Sequence, residues 1–236
     1  MKRAMLVLFL AATVFADEPR GELVESMPPA TQILASARAQ LPPYPVEMTG
    51  TLKEKAPNGY VKKVLGVKMT LDWGAAPSQA AYQINDEKSG ETKTLDIRWV
   101  PAGPEYLYSE NGARIDGFDP NSEIEGLGVT WADLSFSFLW SQEAQTLRMG
   151  KKLGRECFVI SVPRPDSHSL LLWIEKETGR MLGAEEHDET GKRQKIIKVV
   201  SVKEFDDLWM VKDLDIIHPA RGGKTSLRID SVEAGN

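Results

Sequence analysis

One cysteine, Cys157, stands in 236 residues, so no intramolecular disulfide can brace the fold. The chain must hold by its core alone. The run Glu156-Cys157-Phe158-Val159-Ile160 is apolar and strand-like, a setting for a buried small hydrophobe rather than for a reactive thiol, which needs exposure and nearby cations. Histidine is also scarce. His168, His187 and His218 lie far apart, without the close spacing that metal ligands take, and neither a metal nor another cofactor is expected. Net positive charge is missing as well: the formal charge is −5, and near −7 once Lys2 and Arg3 are discounted. This argues against a nucleic-acid partner, whose binder shows a basic face, and gives the whole chain no general attraction to anionic headgroups.

Catalytic motifs are equally thin. There is no Gly-x-Ser-x-Gly elbow, and Ser167-His168-Ser169 reads as a polar turn after Pro163 and Pro165. Gly222-Gly223-Lys224-Thr225 has the end of a phosphate-binding loop. However, Ser226-Leu227-Arg228-Ile229-Asp230 then alternates like a strand, where that loop requires a helix. Glu185-Glu186 and Asp206-Asp207 are sequence neighbours, which in a strand point to opposite faces and in a turn face water, so neither pair suits acid–base work. The basic run Lys192–Lys198 reads as a solvated strand edge, with a docking patch as the alternative. No enzyme is expected.

What is present begins at the N-terminus. Lys2 and Arg3 precede an apolar run from Ala4 to Val14, then Val14-Phe15-Ala16 and an abrupt end at Asp17, Glu18 and Pro19. Residues 1–16 have the pattern of a cleavable signal peptide, too short in their apolar part for a span of about 20 residues. An uncleaved anchor is the alternative. No cysteine follows the cleavage position to carry a lipid, so a protein released into an envelope space is expected. Residues 17–29, acidic and bearing Pro19, Pro28 and Pro29, read as a flexible segment, and residues 30–236 as a single domain.

Within that domain the spacing of Ile33, Leu34, Ala37 and Leu41 predicts a helix, capped by Thr31 or Ser26 and ended by Pro42-Pro43 and Pro45. The period then becomes 2. Leu65, Val67, Met69, Leu71 and Trp73 alternate with wetter residues, the cleanest strand in the chain. Similar runs follow to Val232, separated at hairpin spacing by turn signals such as Asn58-Gly59, Ser89-Gly90 and Asn111-Gly112. About ten or eleven antiparallel strands result, interrupted between Gly128 and Trp140 by an aromatic-rich helix whose Thr130 and Asp133 match a capping box. Such a sheet must hide its apolar face by closing into a barrel or curling around helices. Two short helices are little filling. An open apolar concavity, with Trp73 and Trp99 near its mouth, and an ordinary packed core both remain open at this point.

Gly128-Val129-Thr130-Trp131-Ala132-Asp133-Leu134 resembles a segment of the outer-membrane lipoprotein-sorting (LolA-like) family. Leu172–Thr178, Met181–Asp188 with Gly191-Lys192 and Lys195, Trp209-Met210-Val211 and Thr225–Ile229 follow in that family's order. The resemblance covers roughly residues 30–233. It implies a mainly β (α+β) fold, a curled antiparallel sheet or incomplete β-barrel with short helices on its concave face. It further implies a periplasmic, non-enzymatic carrier for a lipid or lipoprotein acyl chain. The early strands lack the Arg-Pro-aromatic triplet of the well-known carrier. The expected cavity lining is Leu65, Val67, Met69, Leu71, Trp73, Leu95, Ile97 and Trp99. The alternative on the same scaffold is an envelope sensor or interaction module with a protein partner.

Overall fold

Alternation of apolar and polar residues brings thirteen segments of the described chain into one sheet. The computed structural model describes residues 27–205 and 208–235. The expected signal peptide at 1–16, most of the 17–29 segment and the pair Asp206-Asp207 lie outside them. After helix α1 (Ala30–Arg38) come strands β1 (Val46–Lys55), β2 (Val61–Asp72), β3 (Ser78–Asp86), β4 (Glu91–Val100), β5 (Gly103–Glu110) and β6 (Ala113–Ile115). A crossing segment then carries helix α2 (Trp131–Leu134) and a 3-10 helix (Ser137–Trp140). The second half is β7 (Gln145–Lys152), β8 (Arg155–Pro163), β9 (Ser169–Glu175), β10 (Met181–His187), β11 (Arg193–Phe205), β12 (Leu208–Ile217) and β13 (Lys224–Ala234).

The thirteen strands form a single antiparallel sheet in the order β6-β5-β4-β3-β2-β1-β13-β12-β11-β10-β9-β8-β7. The chain therefore starts in the middle, meanders to one edge, crosses to the other edge and meanders back until β13 pairs with β1. Strands β6 and β7 remain edges, so the sheet curls but does not close, as the family resemblance implies. Register aligns the apolar residues into rows on the concave face. Met48, Met69, Tyr82 and Leu95 lie opposite one another on β1 to β4, and Leu227, Leu214 and Ile197 continue the face on β13, β12 and β11. Each row is a string of cross-strand contacts that fixes register, because a slip of one residue would turn every apolar side chain outward.

Two strands were not legible in the sequence. β6 is three exposed residues, and β7 is solvated on both faces, so neither shows the alternation that betrays a half-buried strand. Leu153 belongs to the turn between β7 and β8 rather than to a strand. The central capping box is present as expected: Thr130 Oγ1 accepts from the Asp133 amide and Asp133 Oδ2 from the Thr130 amide. Helix α1 differs in its cap. Pro29 occupies that position and no side chain bonds the first amides. Burial of Ala30, Ile33, Leu34 and Ala37 holds the helix instead. Cys157 is fully buried, as its apolar run indicates.

The seam between β1 and β13 joins the two halves, and it carries a bulge at Thr49/Gly50. A Cβ at Gly50 would come within 2.3 Å of the Arg228 carbonyl oxygen. Gly50→Ala should therefore lower stability by about 1–3 kcal/mol. Chemical denaturation checks this, with an unchanged midpoint as the contrary result.

Candidate functional site

Among the described residues, the crossing segment from Asp116 to Ala144 passes over the concave face, and α1 lies beside it. Together they cover much of that face and leave beneath them a cavity of about 570 Å³. Met48, Met69, Leu71 and Trp73 form one wall, and Val199, Met210, Leu214, Leu227 and Ile229 the other. The cover is Ala37 and Leu41 at the end of α1, with Leu134, Phe136, Leu139 and Trp140 from the crossing segment. Phe136 reaches this place because its backbone is left-handed (φ 50°), a conformation unusual for an aromatic residue that bends the chain sharply between α2 and the 3-10 helix.

Three of the eight residues expected to line a cavity, Met69, Leu71 and Trp73, do so. Leu65, Val67, Leu95 and Ile97 share the same face but lie in the packed core, between 0 and 3% exposed. Trp99 stacks on Trp140, with ring centroids 4.2 Å apart and planes at 16°, and faces a second, proline-lined hollow. The lining contributed by β11 to β13 was missed, although on β12 and β13 the signal is the same period of 2: Leu214, Leu227 and Ile229 alternate with polar residues.

Polar groups hold the cover down. Asp133, 1% exposed, accepts from Arg164 Nη2 at 2.7 Å and from Lys195 Nζ at 2.7 Å. Lys195 also lies 3.3 Å from Glu186, whose other oxygen meets His168 Nδ1 at 2.9 Å. Burial by itself would raise the Asp133 carboxyl, but Lys195 and Arg164 outweigh it and hold the group below the usual carboxylate range. Glu186 is partly buried, which would raise it, but Lys195 and the His168 hydrogen bond likewise hold it low. These residues tie α2 to the second half of the sheet. Glu125, at the other end of the crossing segment, ties it to the first half through Lys63 at 2.8 Å and through Lys93. Arg38 of α1 donates to the Leu139 carbonyl and lies over the Trp140 ring at 5.7 Å.

The basic run containing Lys195 is thus not wholly a solvated edge. Lys195 points inward with Ile197, and Arg193 and Lys198 point out. Glu185 and Glu186 do face opposite ways: Glu185 meets Lys152 and Arg193 outside, and Glu186 meets Lys195 inside. Gly222 and Gly223 make a left-handed turn that leads into a strand, not a phosphate-binding loop. Among the described residues no group of three or more His, Cys, Asp and Glu could hold a metal ion, and no helix is long and apolar enough to cross a membrane.

Because Asp133 is lowered in the folded protein, its contribution to stability is complete above the ordinary carboxylate value of about 3.9. It is lost as pH falls through the lower folded value. Asp133→Asn leaves Lys195 and Arg164 buried beside a neutral amide and should cost about 3–5 kcal/mol at neutral pH. The difference from the unsubstituted protein should shrink below about pH 4. Urea unfolding across pH measures both effects, and equal stabilities at pH 7 would contradict the assignment.

A family model described as "Uncharacterized protein" matches residues 106–236. No curated relative matches the chain in sequence. Solved structures of similar shape include a domain described as an outer membrane lipoprotein-sorting protein domain from Vibrio parahaemolyticus. Its TM-score is 0.71 at 14% identity, over 87% of this chain and 92% of that one. A DUF1329 family protein from Desulfovibrio piger has TM-score 0.69 at 12% identity, over 87% and 91%. A LolA superfamily protein from Nitrosomonas europaea has TM-score 0.65 at 14% identity, over 89% and 95%. At these identities the likeness is one of fold.

Proposed function

The chain belongs to the family whose model spans residues 106–236 and has a LolA-like fold, and from that premise we propose that it is a non-enzymatic carrier of a lipid or lipoprotein acyl chain. The observation that carries the reading is the cavity of about 570 Å³ under the crossing segment, lined chiefly by aliphatic and aromatic side chains. That volume falls in the range of about 300–1,000 Å³ common to small-molecule sites. An acyl chain needs no directed polar partner, and each methylene moved from water into such a wall contributes about 0.8 kcal/mol.

Supporting this reading, the cover is made of separate pieces. Helix α1 meets the 3-10 helix through Arg38, Leu139 and Trp140, while the sheet beneath is one continuous ladder. Cargo would enter by displacing the end of α1 and the 3-10 helix from each other, leaving the sheet and the Asp133 cluster intact. The leader pattern at residues 1–16 and the lipoprotein-sorting description of a structural neighbour support a periplasmic site of action, with the leader cleaved. On this reading the polar clusters are structural rather than catalytic.

The purified protein should co-isolate with lipid, or bind an apolar fluorescent dye that a long-chain fatty acid displaces. Met181→Trp places a bulkier side chain on the cavity wall and should weaken dye binding by about tenfold, the loss of roughly 1.4 kcal/mol, with little change in melting temperature. No lipid and no dye uptake by the unsubstituted protein would sink the proposal.

A further inference from the structure

We infer that the mouth of the cavity is a membrane-docking surface, which seats on an anionic phospholipid bilayer and lets cargo pass between bilayer and cavity without crossing water. The inference rests on the carrier reading above and adds where the carrier must stand to load or unload.

Three aliphatic side chains line the cavity and at the same time stand in solvent: Leu153 is 72% exposed, Val200 46% and Val202 51%. They come from two separate hairpins that converge on one opening. Leu153 is at the tip of the β7–β8 hairpin, a two-residue turn in which Leu153 (φ 52°) and Gly154 (φ 78°) are both left-handed. That turn suits Asn-Gly or Asp-Gly, and a leucine at its first position is both strained and hydrated unfavourably. Nothing in the fold repays that choice, because Leu153 is the most exposed large hydrophobic residue among those described. Val200 is the extra residue of a bulge in β11, between Val199, opposite Leu214, and Ser201, opposite Asp213. The bulge interrupts the alternation and leaves Val200 and Val202 exposed along the rim. Large aliphatics exposed together around an opening mark an interaction surface rather than a scatter of surface residues.

The charges at the same opening select the partner. The charged residues that line the cavity are Arg155, Glu175 and Arg180. The acid is hidden: the Glu175 side chain is 4% exposed and accepts from Arg155 and Thr178 at 2.5 Å each. The Arg155 side chain is 58% exposed, and Arg180 is exposed as well. The lining therefore carries two guanidinium groups against one carboxylate, which is paired with Arg155, although the chain as a whole is acidic. Aliphatic tips that reach below the phosphate level, with guanidinium groups at that level, are what an anionic interface receives.

The test is co-sedimentation of the whole protein with phosphatidylcholine vesicles, with and without phosphatidylglycerol, beside dye binding in free solution. The protein should sediment with phosphatidylglycerol vesicles and be released by salt. Leu153→Asn, which suits the left-handed turn and so spares the fold, should weaken vesicle binding by roughly tenfold. The double change Val200→Asn, Val202→Asn should act in the same direction. Arg180→Gln should cost about fivefold, and only on the anionic vesicles. Because these side chains also border the cavity, dye binding is measured for each variant, and the loss of vesicle binding should exceed any loss of dye binding. No sedimentation of the unsubstituted protein, or sedimentation of Leu153→Asn and the valine pair at the unsubstituted level, overturns the inference and leaves the carrier reading standing. Vesicle binding without dye uptake overturns the carrier reading and supports the docking surface alone.

Discussion

A buried carboxylate, Asp133, decides how this molecule is put together. A thirteen-strand sheet that does not close leaves its apolar concave face to be covered by whatever chain crosses it, and among the described residues the segment that carries α2 makes that crossing. Apolar contact alone would let the segment slide over a greasy surface. Asp133 prevents this by drawing Arg164 and Lys195 to 2.7 Å, each from a different part of the second half. Leaving any of the three unpaired in the interior is far more costly than keeping all three together, so the cluster sets one position for α2. The same carboxylate caps α2, so it fixes the helix's position and its start at once.

Once α2 is fixed, the rest of the cover follows. Phe136 bends the chain with a left-handed backbone, the 3-10 helix lays Trp140 on Trp99, and Arg38 brings α1 against Leu139. Glu125 anchors the other end of the crossing segment to β2 and β4 through two lysines. The cover is thus pinned at both halves of the sheet, and the cavity lies under the residues that follow Asp133. A rigid curved sheet below and a cover made of short separate pieces above is a physical arrangement that can admit an apolar chain without unfolding.

The rim of that cavity breaks two local rules. A leucine occupies a left-handed hairpin position, and a bulge leaves two valines in water. Natural sequences depart from local preference chiefly where something other than folding is served. Both departures meet at the mouth of the same cavity.

The sequence by itself determined the secondary structure and most of the sheet. Period-2 alternation marks eleven of the strands, since each has one wet face and one dry face, and glycine-bearing turns make their neighbours antiparallel. It could not show β6 or β7, whose exposed residues carry no such contrast. It placed Met69, Leu71 and Trp73 on the lining face, but it could not separate them from Leu65, Val67, Leu95 and Ile97. All seven belong to one face, and what divides cavity from core is where the cover ends. Lys195 looked like a surface charge for a related reason: an inward charge is recognisable only when its partner is known, and Asp133 lies 62 residues from Lys195. Periodicity is local, so it is written in the chain; the path of the crossing segment, the pairing of distant charges and the space left between them exist only once the two halves of the sheet have met.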